Sequence, residues 1–243
     1  MELSKLKFRE NTWDNDIFNC VYIHNEYNLP EKLNENDVVI DIGAHIGSFT
    51  ITCLDKGAGK VFAFEAFKDN FEVLSHNVLQ FDPLKYKIFN KAVWRSDIES
   101  EKLYFTTEGG KNTGGGNVIF NNHGFEVDTI RFDDFLNDLK VNHNINSIKL
   151  LKLDCEGSEF PILLTCKNIG MFKEIVGEFH EINGEYDNNQ VPETFKNLEH
   201  KKFTVNELQK FFEINGFMFN FVRDNINNLP CSLGKFKATK INK

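Results

Sequence analysis

The thirteen residues 38–50, VVIDIGAHIGSFT, constrain the fold more than any other part of the chain. Their apolar start predicts a buried strand, Gly43 and Gly47 predict a turn, and the residues from Ser48 onward predict a helix. A strand that passes through a glycine turn into a helix brings backbone N–H groups and the positive end of a helix dipole to one point. Ligands with polar groups bind at such points, so we expect a small-molecule site here.

The spacing of these glycines differs from that of a dinucleotide site. Gly43 and Gly47 follow Asp41 with three residues between them, whereas dinucleotide-binding turns contain G-x-G-x-x-G. The observed spacing is typical of sites for S-adenosylmethionine (SAM). Asp41 is placed to orient the turn and to meet the ammonium group of the ligand, directly or through water.

Apolar segments that suit strands alternate with amphipathic segments that suit helices from residue 37 onward. The predicted strands are 38–42, 61–65, 86–93, 148–153 and 174–179, with short strands at 102–105 and 126–130. The predicted helices are 47–56, one from Asp69 with Glu72 as its capping pair, 159–168, and one from the N-cap Thr204 with Glu207. Strands at 217–222 and 232–238 are expected to form an edge hairpin. The alternation predicts an α/β fold with a mostly parallel sheet covered on both faces.

The length of 243 residues suffices for one large domain. Residues 1–36 do not follow the alternation and are interpreted as an N-terminal cap segment, with residues 37–243 as the main domain. No apolar stretch approaches the roughly 20 residues of a membrane span, and the first ten residues lack the apolar core of a signal peptide. We therefore expect a cytoplasmic protein with its five scattered cysteines reduced.

The chain is acidic, with a formal net charge of −8. Such a surface repels polyanions, so a nucleic-acid partner is not expected unless a local basic patch overrides the total. The acidic balance and the absence of an anchor favour a soluble acceptor or an activated sugar. The oligomeric state is not indicated by the sequence.

Residues that end the strands are candidates for the site, because ligands of an open parallel sheet bind at the carboxyl ends of its strands. Glu65 ends the second strand, where a carboxylate can accept hydrogen bonds from both ribose hydroxyls of an adenosine. The alternative is an acidic side chain that is merely solvated. Asn90 and Ala92 end the third strand and are placed to flank an adenine.

Two further pairs of polar residues end the fourth and fifth strands. Asp154 and Glu156 are separated by one residue and so point the same way on an extended backbone. One interpretation is that they form the end of a strand and supply negative charge at the N-terminus of the next helix. The other places Asp154 beside the methyl group that is transferred and Glu156 near the acceptor. Glu178 and His180 also share a face, and His180 is either structural or a base or ligand for the substrate.

Six motifs occur together in one order: VVIDIGAHIGSFT, VFAFEAFKDNFEVLSHNV, NKAVW, TIRFDDFL, IKLLKLDCEGSEFPIL and GEFHEI. In this order they resemble the FkbM-type family of class I SAM-dependent methyltransferases. The resemblance covers roughly residues 34–182, together with the GF at Gly216-Phe217, and the D-x-E-G-x-E of residues 154–159 is its most selective part.

The resemblance implies a seven-stranded Rossmann-like sheet with an antiparallel last strand and helices on both faces. It also implies SAM as methyl donor and O-methylation of a hydroxyl in a sugar, glycan or natural product. The chain departs from the family at His45, where Asn is expected, and at Ala66, where many relatives have Pro. The predicted cofactor-binding residues are Asp41, Gly43, Ala44, His45, Gly47, Ser48, Glu65, Ala66, Asn90, Ala92 and Asp154.

Methyl transfer to a hydroxyl needs a group that takes its proton. The candidate catalytic residues are Asp154, Glu156 and His180. A divalent metal held by Asp133, Asp134, Asp154 and Glu156 is the alternative, but their spacing is not diagnostic and no metal is expected. The glycine- and asparagine-rich residues 109–124 are predicted to form a lid or a surface loop, and residues 183–202 to line the acceptor side.

Three other functions remain open. An NAD-dependent oxidoreductase shares the glycine turn and the acidic end of the second strand, but the chain lacks G-x-G-x-x-G. A non-catalytic module with the SAM-binding fold would bind SAM without transferring its methyl group. N- or C-methylation also remains open, because the sequence indicates the donor site more clearly than the acceptor site.

Overall fold

The computed structural model describes residues 1–99, 103–107, 109–119, 124–187 and 189–241. The strands are β1 (Val38–Ile42), β2 (Lys60–Phe64), β3 (Tyr86–Phe89), β4 (Ala92–Trp94), β5 (Leu103–Phe105), β6 (Phe125–Val127), β7 (Thr129–Arg131), β8 (Ile148–Leu153), β9 (Phe172–His180), β10 (Phe217–Ile226) and β11 (Leu229–Lys240). The helices are α1 (Asp14–Phe18), α2 (Ser48–Asp55), α3 (Lys68–Asn77), α4 (Phe132–His143), α5 (Glu159–Leu164) and α6 (Val205–Ile214).

Seven strands form the central sheet in the order β3-β2-β1-β8-β9-β11-β10. The strands from β3 to β9 are parallel, whereas β11 runs antiparallel to both β9 and β10. The predicted seven-stranded sheet with an antiparallel last strand is confirmed, and so is the edge hairpin. Chain order reverses between β1 and β8, which is where a sheet of this type binds ligands.

Both faces of the sheet are covered, as predicted. Successive residues of β1 point to opposite sides, so that Val39 and Ile40 belong to different apolar clusters. Ile40 packs with Phe135 of α4 and with residues of α5 and α6, while Val39 packs with Phe49 of α2 and with α3. Many of the 25 phenylalanines lie in these clusters, where their rings meet edge to face or stacked.

Several predicted boundaries were wrong. The strand predicted over 86–93 is divided at Asn90, whose side-chain amide donates to the carbonyls of Glu65 and Ala66 at 2.9 and 3.0 Å. Its second half, β4, pairs with β7 outside the main sheet. Helix α3 begins one residue before Asp69 and has no side-chain cap. Helix α4 was not predicted, and α5 ends four residues earlier than expected.

Residues 1–36 contain a short 3-10 helix (Leu3–Lys5), α1 and a π-helical turn (Asn19–Ile23). Phe18 and Val21 join the apolar cluster on the α2 side of the sheet. The segment therefore packs on the sheet, with α1 near its carboxyl edge. All five cysteines are free thiols. Among the described residues, no helix is long and apolar enough to cross a membrane.

Candidate active site

A cavity of about 530 Å³ opens at the carboxyl ends of β1, β2, β8 and β9. Nine predicted site residues line it: Gly43, Ala44, His45, Ser48, Glu65, Ala66, Ala92, Asp154 and Glu156. Four others do not, but each adjoins or contacts a residue that does: Asp41, Gly47, Asn90 and His180. The structure thus brings the predicted residues to one place, although they come from distant parts of the chain.

The glycine turn after β1 is held by both neighbouring strands. Gly43 adopts a φ of 76°, and its N–H donates to the carbonyl of Phe64 in β2 at 3.0 Å. A Cβ atom on Gly43 would lie 1.8 Å from the carbonyl oxygen of Asp154 after β8. Only glycine permits this approach. Gly47, with a φ of 93°, precedes α2 and closes the turn.

Glu65 lies immediately after β2 and is 5% exposed. Its Oε2 accepts the N–H of His45 at 2.7 Å and its Oε1 accepts the N–H of Phe67 at 2.8 Å. Burial raises the pKa of Glu65 to about 7. The carboxylate ties the glycine turn to the end of β2, and each oxygen retains a second lone pair for a ligand hydroxyl.

Lys152 was not among the predicted site residues, yet it lies at the centre of the site. Its Nζ donates to the carbonyl of Gly43 at 2.6 Å and lies 3.7 Å from Asp154 Oδ2. Burial opposes its charge, but the carboxylates of Asp41 and Asp154 raise the pKa of Lys152 above its usual range. The available signal was the strand segment IKLLKL, in which two lysines, Lys149 and Lys152, interrupt an apolar run, since a buried charge needs a partner.

The two aspartates beside Lys152 differ in environment. Asp41 is completely buried and accepts the hydroxyl of Thr50 at 2.6 Å, and burial raises its pKa. Asp154 lies on the cavity wall and accepts the hydroxyl of Tyr27 at 3.1 Å. Burial opposes ionisation of Asp154, but the ammonium of Lys152 and the imidazole of His180 hold its pKa below the usual range.

Glu156 and His180 are neighbours, with 3.2 Å between Glu156 Oε2 and His180 Nε2. Glu156 lines the cavity, whereas His180 lies behind it and is also 3.2 Å from Glu159 Oε1 through its Nδ1. Burial raises the pKa of Glu156 to about 7. Glu178 lines the cavity as well, 3.2 Å from the ammonium of Lys235.

The structure does not bring the four predicted metal ligands together, although a different trio that shares only Asp154 with them lies close enough to hold an ion. Ligand atoms of Asp154, Glu178 and His180 lie within 4.8 Å of one another, but each group already faces an oppositely charged side chain. The predicted ligands Asp133 and Asp134 are elsewhere, on α4. The carboxylate of Asp133 accepts N–H groups that follow α5, so its role is to join two helices.

Part of the glycine-rich segment, residues 109–119, closes one side of the cavity. Thr113 Oγ1 lies 2.7 Å from His45 Nε2, 2.9 Å from Arg9 Nη2 and 3.1 Å from Asp14 Oδ1. Burial lowers the pKa of His45 to about 4, so its ring is neutral. The predicted lid extends to Gly124, and residues 120–123 fall outside the described part of the chain.

The cavity wall differs from the prediction that residues 183–202 line the acceptor side. None of the described residues in 183–202 lines the cavity. One side of the cavity is lined instead by the N-terminal segment, through Trp13, Asp16, Ile17, Cys20, Val21, Glu26 and Tyr27. The sequence could not indicate this, because the segment carries no motif and its position depends on packing against α2.

Polar atoms without partners suggest what the cavity accepts. Among the described residues, the buried side-chain atoms that lack a hydrogen-bond partner include His45 Nδ1, Ser48 Oγ, Asn70 Oδ1 and Ser158 Oγ, all from residues that line the cavity. Buried polar groups are seldom left unpaired. With the Glu65 carboxylate and the glycine turn, they fit a ligand rich in hydrogen-bonding groups, as SAM is.

Comparisons with known proteins agree with this geometry. The model of the FkbM methyltransferase domain matches residues 41–228. The structure of methyltransferase FkbM from Methylobacillus flagellatus KT is similar with a TM-score of 0.53 at 11% sequence identity, over 91% of this chain and 47% of that one. A protein from Listeria monocytogenes assigned as an S-adenosylmethionine dependent methyltransferase has a TM-score of 0.50 at 14% identity, over 91% and 98% of the two chains.

An rRNA methylase from Streptococcus thermophilus is also similar, with a TM-score of 0.45 at 11% identity, over 91% of this chain and 97% of that one. That likeness is too low to bear on the acceptor. No significant match among curated proteins was found. At these identities the first two solved structures show a shared fold, while the family model spans most of the sequence. The chain therefore belongs to the FkbM methyltransferase family, whose members are class I SAM-dependent methyltransferases.

Proposed function

We propose that this protein methylates a hydroxyl group of an uncharged polyol, such as a sugar or a glycan end. The observation that carries the proposal is the pair of carboxylates after β8. Asp154 and Glu156 both line the cavity, and the pKa of Glu156 is raised to about 7. A carboxylate with this pKa accepts a hydroxyl proton effectively near neutral pH.

The donor site in this proposal uses the residues around the glycine turn. The backbone of Gly43, Ala44 and Gly47 holds the methionine end, and the Glu65 carboxylate accepts the ribose hydroxyls. Ala66 and Ala92 leave space for the adenine beside Asn70. When bound, SAM supplies a methyl group that is already activated by the positive charge on its sulfur.

The protein's own contribution is alignment, exclusion of water and removal of a proton. Asp154, kept ionised by Lys152, attracts the positive end of the donor. The N-terminal segment, which we infer to be a cap of the same domain, and residues 109–119 cover the opening. Glu156 then takes the proton of the acceptor hydroxyl.

The charge of the cavity favours an acceptor without phosphate. Five carboxylates line its acceptor side: Asp16, Glu26, Asp154, Glu156 and Glu178. Burial raises the pKa of Glu26 and of Glu178, although Lys235 lies 3.4 and 3.2 Å from their carboxylates and opposes the rise. Phosphorylated sugars and nucleic acids would meet repulsion here. The same lining attracts amines, so N-methylation is the second candidate.

Two measurements test the function in sequence. Calorimetry gives the affinity for SAM of the wild type, of Glu65→Gln and of the exposed control Glu72→Gln. Formation of S-adenosylhomocysteine is then followed with matched neutral, aminated and phosphorylated sugars, and NMR of the product separates O- from N-methylation. SAM binding with no turnover of any acceptor in the panel would favour the non-catalytic module, and absence of SAM binding would refute the proposal.

A further inference from the structure

The turn between β8 and α5 is organised around a carboxylate that does not line the cavity. Glu159 is fully buried and accepts the N–H of Cys155 at 2.7 Å and that of Gly157 at 2.8 Å. Its Oε1 also lies 3.2 Å from Nδ1 of His180, at the end of β9. Three donors therefore fix this carboxylate, and the methyl transfer described above makes no use of it.

His180 connects Glu159 to the cavity wall, because its second nitrogen, Nε2, lies 3.2 Å from Glu156 Oε2. A ring with a carboxylate at each nitrogen donates in both directions only as imidazolium. Burial alone lowers the pKa of His180, but Glu159, Glu156 and Asp154 raise it to about 10. The charged groups that face the ring or its carboxylate neighbours are Glu156, Glu159, Asp154, Glu178, Lys152 and Lys235.

The backbone at Glu156 requires such support. Glu156 has a φ of 54° and Gly157 a φ of 97°. A non-glycine residue in the left-handed region persists where its surroundings hold it, and such residues cluster at functional sites. While Oε2 faces His180, Oε1 lies on the side of the glycine-rich segment, 3.9 Å from where a Cβ on Gly115 would stand.

We propose that Glu159 is a positioning residue for methyl transfer, which holds His180 so that His180 in turn directs the carboxylate of Glu156 at the acceptor. This inference rests on the proposed transfer to a hydroxyl. The hydroxyl proton passes to Glu156 as the new O–C bond forms, and the electron pair of the donor's C–S bond goes to sulfur. Glu156 later releases the proton to water, and His180 keeps both of its protons throughout.

A measurement of the protonation state of His180 tests this inference and needs no acceptor. In protein labelled with ¹⁵N-histidine, NMR reports the protonation of each ring, and His180→Gln identifies the signal. The wild type is expected to carry an imidazolium at pH 8, and Glu159→Gln to lower the midpoint by about 1–3 pH units. The exposed control Glu193→Gln leaves the midpoint unchanged. A neutral His180 in the wild type at pH 8, or equal midpoints in wild type and Glu159→Gln, overturns the inference.

Activity gives the second readout. Glu159→Gln is expected to lower kcat about 100-fold and to change its pH profile, with the KM for SAM unchanged. If Glu159→Gln does not fold, the wild-type titration and the pH profile of His180→Gln decide the matter. A wild type that methylates no acceptor contradicts the proposed function, whereas the NMR titration still decides whether Glu159 controls His180.

Discussion

The ammonium of Lys152 lies 3.4 Å from Asp41 Oδ1, across the boundary between β1 and β8. The two residues are partners in the register of this parallel strand pair. Asp41 Oδ1 has no hydrogen-bond partner among the described residues, so Lys152 is what compensates this buried oxygen. The same ammonium reaches Asp154 on the cavity wall, and one lysine thus links the core of the sheet to the site.

Replacement of Lys152 by Met is expected to lower the free energy of unfolding by about 3–5 kcal/mol, because it leaves buried carboxylates without a counter-charge. Lys237, partly exposed on β11 and paired with Glu174, is the matched control, and Lys237→Met should change the free energy by less than about 1 kcal/mol. Urea denaturation at pH 7.5 measures both. Equal losses of unfolding free energy in the two variants would show that Lys152 contributes no more to stability than Lys237 does.

Replacement of Gly43 by Ala tests the close approach of the turn to β8. The variant combines a left-handed φ with a clash against the Asp154 carbonyl and should lose about 2–5 kcal/mol of stability, together with SAM binding. Gly216 has nearly the same φ, 79°, and open space around its Cβ position. Gly216→Ala should therefore lose only about 1–2 kcal/mol. If both variants lose the same amount, backbone conformation alone explains the effect.

Replacement of Thr113 by Val removes the hydroxyl that contacts His45, Arg9 and Asp14. Because a hydrogen bond contributes about 1 kcal/mol, we expect SAM affinity to fall about 5–10-fold through a looser closing segment. Global stability should change little. Thr239→Val, on β11, serves as the control in the same calorimetric titration. Unchanged affinity in Thr113→Val would mean that closure does not involve this contact.

The stability of the protein should fall as pH rises from 7 to 9.5, and His180 should account for part of the fall. The pKa of His180 is about 10 in the folded state, above its value of about 6.5 in an unfolded chain. The folded state therefore binds more protons in this window, and stability present below pH 6.5 is lost as pH rises towards 10. Urea denaturation should show a smaller fall in stability for His180→Gln than for the wild type. The exposed control His143→Gln should show the same fall as the wild type. If the stability of His180→Gln falls as much as that of the wild type, the assignment of a positive charge to His180 is contradicted.

Removal of divalent metals with EDTA is expected to leave SAM binding and methyl transfer unchanged. Lys152, Lys235 and His180 already face the carboxylates that a metal would need. An activity that EDTA abolishes and Mg²⁺ restores would show that these ion pairs open to admit a metal.

Much of the fold was predictable because it is encoded locally. The β1 strand and the edge hairpin follow from short apolar runs, and the turn after β1 follows from Gly43 and Gly47. Helix α4 was missed although Phe132, Phe135 and Leu136 have helical spacing. The division of the third strand depends on hydrogen bonds from Asn90 to the next strand, and no local pattern reveals those.

The residues of the candidate site also fall into those that could be predicted from the sequence and those that could not. Glu65, Asp154 and Glu156 were predicted because each follows a strand whose end was recognisable, and strand ends of a parallel sheet meet at one edge. The N-terminal segment was not predicted to line the cavity, because it carries no motif.

The sequence by itself determined the class of fold, the glycine turn, the order of the parallel strands along the chain and the family. Only the tertiary structure decided that Lys152 neutralises Asp41, that Glu159 faces His180 and that residues between Trp13 and Tyr27 line the cavity. The physical reason is the distance along the chain over which each kind of interaction acts. Backbone preference and periodicity act over a few residues, whereas the partner of a buried charge is set by strand register and packing between segments that are far apart in the chain.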